Sequence, residues 1–430
     1  MHIISNIIYQ IDKNRGLFKR KMQNIQEFIN QCQQELNHEF QLVDEIAYKN
    51  FKKIHQAFQE NRVALRHFAG TTGYGYDDVG RDTLCKIFAD VFGCEKAIFS
   101  PNIVSGTHAI SLCLFGVLRP NDVLLSISGE IYDTLENVVK GSNIGSLKDF
   151  GIDYDQIELK DGDFDHQAIA ERLAKQQIKM VYIQRSRGYC LRQPLSIEQI
   201  EKVCKTIKQV SPQTIIFVDN CYGEFIDTQE PVAVGADLMA GSMIKNPGGG
   251  LAPTGGYVAG KEVYVDLTAN RLTAPSIGME VGSYMSGYQY FYQGFYQSSH
   301  TVAQAIKGGM LFAHALTKLG FNTLPKSKEH FKDIICSIEF DTAEQLIKFC
   351  QTIQYASPID SFVTPMPWDM PGYNEQVIMA AGCFVQGASI ELSCDSPIKA
   401  PYVAYLQGGL SFEHTKLALE FCIEKLNLLR

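Results

Sequence analysis

Apolar positions recur at helical spacing through residues 22–60, where Ile25, Phe28, Ile29, Leu36, Phe40, Val43 and Ile46 stand among Gln, Glu and Lys. That period predicts a pair of amphipathic helices. From about residue 80 to 300 the pattern changes, and helical stretches alternate with the short β-rich runs KAIFS, DVLLSIS, MVYIQRS, TIIFVDN, DLMAGSMIK and GGYVAG. Such alternation predicts an α/β layer built on a mostly parallel sheet. From 301 a helical run, TVAQAIKGGMLFAHALTKLG, leads into CSIEF, an amphipathic segment, FVTPMPW, GASIELS and a closing helix, LSFEHTKLALEFCIEKLNLL. The expected division is an N-terminal helical segment at 22–70, a large domain at 71–300 and a smaller α+β domain at 301–430. No internal repeat of useful length is visible.

Composition narrows the classes of function. A chain of 430 residues buries a core large enough for any enzyme, and 45% apolar with 20% charged residues leaves little room for disorder. A net charge of -8, from 39 basic and 47 acidic groups, supplies no basic stripe for nucleic acid or an anionic membrane. The twelve cysteines include no CxxC pair, and the ten histidines form no HxH or HExxH cluster, so reduced thiols and no metal are expected. The opening MHIISNIIYQIDKNRG is interrupted by Asn6 and Gln10 and has no continuous apolar core of a leader, and no segment reaches a spanning length. These readings predict a cytoplasmic protein that handles a small molecule.

Four elements carry candidate chemistry. The run Thr214 to Val218 reads as a buried strand with Asp219 at its carboxyl end, the edge at which open α/β sheets bind ligands. A carboxylate there can hold the proton on a cationic ring such as the pyridinium of pyridoxal-5′-phosphate (PLP); a turn or capping Asp is the plainer alternative. Lys245 ends the apolar run Leu238 to Ile244, 26 residues after Asp219, ahead of a proline and three glycines. A lysine leaving an apolar, partly desolvated site is expected to have a depressed pKa and to form an imine with an aldehyde, although an isolated lysine at a loop mouth is commonly just solvated. Ser105, Gly106 and Thr107 precede a helix-like run, and helix N-termini offer unpaired N–H groups to an anion; a simple N-cap is the alternative. Ser242 offers a further hydroxyl or is an ordinary strand serine. Tyr132, just past DVLLSIS, could cover a cofactor ring or merely pack in the core.

The phrases TTGYGYDDVGRDTL, SGTHAI, IQRSRGY, VDNCYGEF, GSMIKNPGGGLAPTGGYVAG and ASIELSCDSPIKAPYVAYLQGGL resemble the aluminium-resistance or methionine γ-lyase-like proteins. That group is similar to the Cys/Met-metabolism PLP enzymes that include cystathionine β-lyase. The resemblance runs from about residue 30 to the end. It implies a fold-type-I PLP enzyme of aspartate-aminotransferase-like architecture, with Lys245 as Schiff-base lysine and Asp219 paired to the ring nitrogen. Tyr132 would stack on the ring, and Ser105, Gly106, Thr107 and Ser242 would hold the phosphate. It also implies a homodimer or homotetramer with the site at the subunit interface, Tyr74, Tyr76 or Arg81 reaching the partner's phosphate.

Two positions depart from the family pattern. Ile244 stands where a phosphate-binding hydroxyl residue commonly precedes the lysine, and no arginine occurs between Arg271 and Arg430 to grip a substrate carboxylate. Lys399 is the nearest substitute, with Arg185, Arg187 and Arg271 as other candidates; a lysine is a point charge without the guanidinium fork. The reaction expected is carbon–sulfur β- or γ-elimination on an amino acid such as cystathionine or methionine. Transamination, another Cα or Cβ reaction, or a low-turnover PLP-binding role in stress tolerance are the alternatives, since the scaffold is common to all of them.

Overall fold

The computed structural model describes residues 22–370, 373 and 375–429. The opening segment read for a leader and Arg430 lie outside the described residues.

Residues 22–35 are helical and, after a turn at Leu36, α1 (Asn37–Glu60) completes the expected helix pair. Its apolar stripe, with Val43, Ile54 and Ala57 buried, packs on the long helix α8 (Gln289–Lys318). Between them come α2 (Val79–Phe92), α3 (Gly106–Val117), α4 (Asp133–Lys140), α5 (His166–Lys175), α6 (Ile197–Val210) and α7 (Glu262–Leu272). α9 (Ala343–Ala356) and α10 (Phe412–Lys425) follow α8.

The large sheet contains β1 (Lys96–Ser100), β2 (Val123–Ser126), β3 (Asp153–Gln156), β4 (Met180–Gln184), β5 (Ile215–Asp219), β6 (Leu238–Ser242) and β7 (Gly256–Gly260) in the order β1-β7-β6-β5-β4-β2-β3. Strands β2 to β6 pair in parallel, and β7 runs antiparallel to both β6 and β1. Helices cover both faces, so the central strands are free of polar side chains up to their carboxyl-terminal residues: Ile216 and Val218 of β5 enter one core while Ile215 and Phe217 enter the other. Each strand-like run read from 96 to 260 forms a strand. The sequence DYDQ of β3 gives no strand signal, because a polar edge strand lacks the apolar pattern.

A second, antiparallel sheet joins β8 (Thr323–Leu324), β9 (Ile335–Phe340), β10 (Val377–Ala380), β11 (Ser393–Pro397) and β12 (Tyr402–Gln407) in the order β10-β11-β12-β9-β8. Here the pattern-based boundaries need correction. FVTPMPW is not a strand; its prolines leave one bridge, Trp368 to Val377. GASIELS is irregular up to Leu392, and pairing begins at Ser393 because only from there does the chain lie beside β12. The helix expected from 301 begins at Gln289.

Candidate active site

Strands β5 and β6 are parallel neighbours, with Asp219 in register with Ala240, so both deliver their carboxyl ends to one edge of the large sheet. Asp219 closes β5 and is buried. Its carboxylate accepts the Cys221 N–H at 3.1 Å and the Tyr182 hydroxyl at 3.4 Å. Burial raises its pKa above the usual carboxylate value, while Lys245, the Cys221 bonds and the Tyr182 bond pull the other way. A further cation beside it would restore its charge.

Lys245 lies three residues past Ser242, the last residue of β6, and its Nζ is 4.1 Å from the centroid of the Tyr222 ring. The expectation of a depressed pKa is not met. Burial disfavours the ammonium, but the acidic groups packed round it, Cys221, Tyr222, Asp219 and Glu224, outweigh burial and raise the pKa above the lysine value.

The helix N-terminus joins these groups. A Cβ placed on Gly106, the first residue of α3, would stand 3.1 Å from Cys221 Sγ, 3.6 Å from Ser242 Cβ and 3.9 Å from Lys245 Nζ. The missing side chain therefore lets the first turn of α3 approach the lysine and Ser242. Ser242 is 1% exposed and its hydroxyl has no hydrogen-bond partner, an arrangement that buried hydroxyls seldom show. Ser105 caps α3 by accepting the His108 N–H at 3.0 Å, and Thr107 shares a 3.0 Å hydroxyl contact with Thr134. An orphaned hydroxyl, a helix N-terminus and an ammonium at one point match the donor set of a phosphate ester, and buried Asp219 matches a protonated ring nitrogen. The residues present fit PLP.

A cavity of about 170 Å³ opens in front of Lys245. Tyr132 lines it, and its hydroxyl lies 3.0 Å from that of Tyr373. Tyr189 packs between, with ring centroids 6.3 Å from Tyr132 and 5.6 Å from Tyr373. The small sheet forms the opposite wall through Ser393, Asp395 and Gln407. Sequence reasoning missed these last residues together with Tyr189, Tyr222, Tyr373 and Cys221. Two signals were available: Tyr222 lies three residues past Asp219, and Asp395 is a lone acid in the buried run SCDSP.

The basic candidates lie elsewhere. Arg185 is fully buried, donating at 2.8 Å to Asn220 Oδ1 and to the Gly223 carbonyl and pairing with Glu230 at 3.5 Å. It braces the turn that carries Cys221 and Tyr222 instead of facing the cavity. Arg187, also fully buried, pairs with Asp333 at 3.4 Å and donates to the Leu324 carbonyl and Ser337 Oγ, tying β4 to the small sheet. Arg271 is exposed over the Phe115 ring. Lys399 lies in an adjoining cleft beside Asp133, Glu136 and Glu375. None of the four lines the cavity: own-chain partners hold the charges of Arg185 and Arg187, while Arg271 and Lys399 are exposed outside it. Arg81 is likewise 2% exposed, with Asp82 and the Gly75 and Gly282 carbonyls as its own-chain partners. Tyr74 and Tyr76 are exposed and stack on each other at 5.3 Å.

Among the described residues no helix is long and apolar enough to cross a membrane, and all twelve cysteines are free. The family model described as methionine gamma-lyase matches residues 25–427. The uncharacterized protein YnbB of Bacillus subtilis (strain 168) is 51% identical over 388 residues, 89% of this chain and 92% of that one. A solved structure named as a carbon-sulfur lyase involved in aluminum resistance, from Clostridium novyi, is 45% identical with a TM-score of 0.90, covering 95% of this chain and 97% of its own. The pyridoxal-5′-phosphate dependent protein YhfS from Escherichia coli shares the fold at 17% identity, with a TM-score of 0.61 over 90% of this chain and 97% of its own. The fold is the α/β fold type I expected from the sequence.

Proposed function

Because the chain belongs to the methionine gamma-lyase family, which its motifs resemble, we propose that it is a PLP-dependent carbon–sulfur lyase. It acts in the cytoplasm, by β- or γ-elimination, on a sulfur-containing amino acid such as cystathionine or methionine. One observation carries the reading: the first turn of α3, the unpartnered Ser242 hydroxyl and Lys245 Nζ meet at a single point beside buried Asp219. The assembly proposed is a homodimer or a homotetramer built from dimers, with exposed Tyr74 and Tyr76 free to reach a second copy.

When bound, PLP supplies an electron-withdrawing ring that accepts the charge left at a substrate Cα after its proton departs. Lys245 Nζ would anchor the cofactor and afterwards take the Cα proton, a positioned general-base step. Asp219 Oδ would hold the proton on the ring nitrogen, with the Cys221 N–H and Tyr182 hydroxyl fixing its orientation. Ser242 Oγ and the N–H groups opening α3 would bind the phosphate, a task for which Ile244 offers no hydroxyl. Tyr132 would form one wall against the ring. Burial first, and then the charges of neighbouring groups, hold its phenol far above its usual pKa, so it stays protonated as a donor to a departing sulfur.

Purified protein mixed with PLP is expected to develop a visible absorption band that Lys245→Ala abolishes; identical spectra for the two proteins refute the cofactor assignment. Incubation with cystathionine and methionine should release thiol, keto acid and ammonia together. Turnover that requires an added keto-acid acceptor and releases no thiol assigns transamination instead.

A further inference from the structure

The wall of the cavity opposite Lys245 is acidic. Asp395 projects from β11 into the space, and among the described residues its only hydrogen bond is from Gln407 Nε2 at 3.2 Å. No cation pairs with it among the described residues. Ser393, 4% exposed and two residues earlier on the same face of the strand, presents a second buried hydroxyl with no partner. Among the described residues Lys245 is the one basic side chain lining the cavity, and four tyrosines, Tyr132, Tyr189, Tyr222 and Tyr373, share the walls with small and apolar residues such as Met379, Ala381 and Ala388.

A largely desolvated carboxylate without a counter-charge is unfavourable. Burial raises the Asp395 carboxyl to about 7, with the Gln407 bond alone opposing it. Burial likewise raises the phenols of Tyr132, Tyr189, Tyr222 and Tyr373, and the charge of Asp395 adds to each. Phenol rings around a carboxylate attract cations through both the ring faces and the charge. A carboxylate-bearing side chain would meet repulsion at the same place.

We propose that this cavity selects an amino acid whose side chain carries a cationic group, an ammonium or a sulfonium, with Asp395, oriented by Gln407, as the counter-charge and the tyrosines as walls. The inference rests on the reading of the site as a PLP site, in which the α-amine is the reacting group, so that the cation met by Asp395 belongs to the side chain.

The test uses two matched pairs, S-methylmethionine against methionine and lysine against norleucine, titrated into the holoenzyme by absorbance and by calorimetry. The cationic member of at least one pair is expected to bind tenfold or more tightly, and the better pair identifies sulfonium or ammonium. Asp395→Asn should bring that ratio to about one. Gln407→Met, which leaves the carboxylate in place, should lower it several-fold. Equal or tighter binding of both neutral members to the wild type overturns the proposal, as does a ratio unchanged in Asp395→Asn. Calorimetry reads the ratio whether or not the visible band forms, so a missing band refutes the cofactor assignment and equal affinities refute the cation selectivity.

Discussion

Lys245 Nζ stands 4.1 Å from the centre of the Tyr222 ring, and Tyr222 reaches that place with a left-handed backbone, φ 69°. A bulky residue at positive φ is strained by about 1–3 kcal/mol and persists only where its surroundings hold it. Here the surroundings are the Arg185 bonds to Asn220 and Gly223 and the Asn246 bond to the Glu224 carbonyl at 3.0 Å. A desolvated ammonium over a phenol ring is stabilised by about 2 kcal/mol, which offsets much of that strain.

Gly106 is the point where the helix must come close. In Gly106→Ala the new Cβ enters the gap between Cys221 Sγ and Lys245 Nζ. Cofactor affinity is expected to fall tenfold or more while the thermal midpoint of the apoprotein changes little, as read by fluorescence titration and calorimetric scanning. Unchanged affinity would mean that the first turn of α3 does not contact the cofactor.

Replacing Asp219 with Asn keeps the shape and removes the charge. The Cys221 N–H can still bond to the amide oxygen, so the fold should persist. Turnover is expected to drop by about 10²–10³, the usual loss when one preorganised electrostatic group is removed. Steady-state kinetics with the cofactor still bound make the comparison.

Arg187 and Asp333, both fully buried, form an ion pair between the two sheets. Arg187→Ala strands a buried carboxylate and should destabilise the protein by about 3–5 kcal/mol, visible as a lower urea midpoint. Arg187→Ala combined with Asp333→Ala should be less damaging than Arg187→Ala alone, because no charge is then left unpaired.

Stability should depend on pH through Asp395. Its carboxyl titrates near 3.8 in the unfolded chain and at about 7 in the folded one, so the folded state holds the proton more tightly. The stabilisation this gives is full below about 4 and is lost as pH rises to 7. Asp395→Asn, uncharged at every pH, should therefore exceed the wild type in melting temperature at pH 8, and that advantage should shrink at pH 5. A gap that does not narrow toward pH 5 would show that the Asp395 proton is not the source.

Several features were legible in the chain alone. Apolar runs of five residues between helical stretches dictate buried parallel strands, because a strand covered on both faces tolerates polar groups only at its ends. That same rule makes Asp219 and Lys245, each directly beyond such a run, candidates before any coordinates are known. Glycine at 106 and serine at 242 added the expectation of an anion.

The rest depended on contacts between segments far apart in sequence. Asp395 and Gln407 reach the cavity only because β11 and β12 pair with Ser393 opposite Gln407 and the small sheet meets the carboxyl edge of the large one. Local pattern carries no record of such a meeting. The arginines teach the converse: Arg185 and Arg187 have the charge a substrate carboxylate wants, but burial allows a guanidinium only where own-chain acceptors surround it, and those acceptors lie 35 and 146 residues away in sequence, at Asn220 and Asp333. Which charges are free to meet a ligand is decided by which ones the fold has already neutralised.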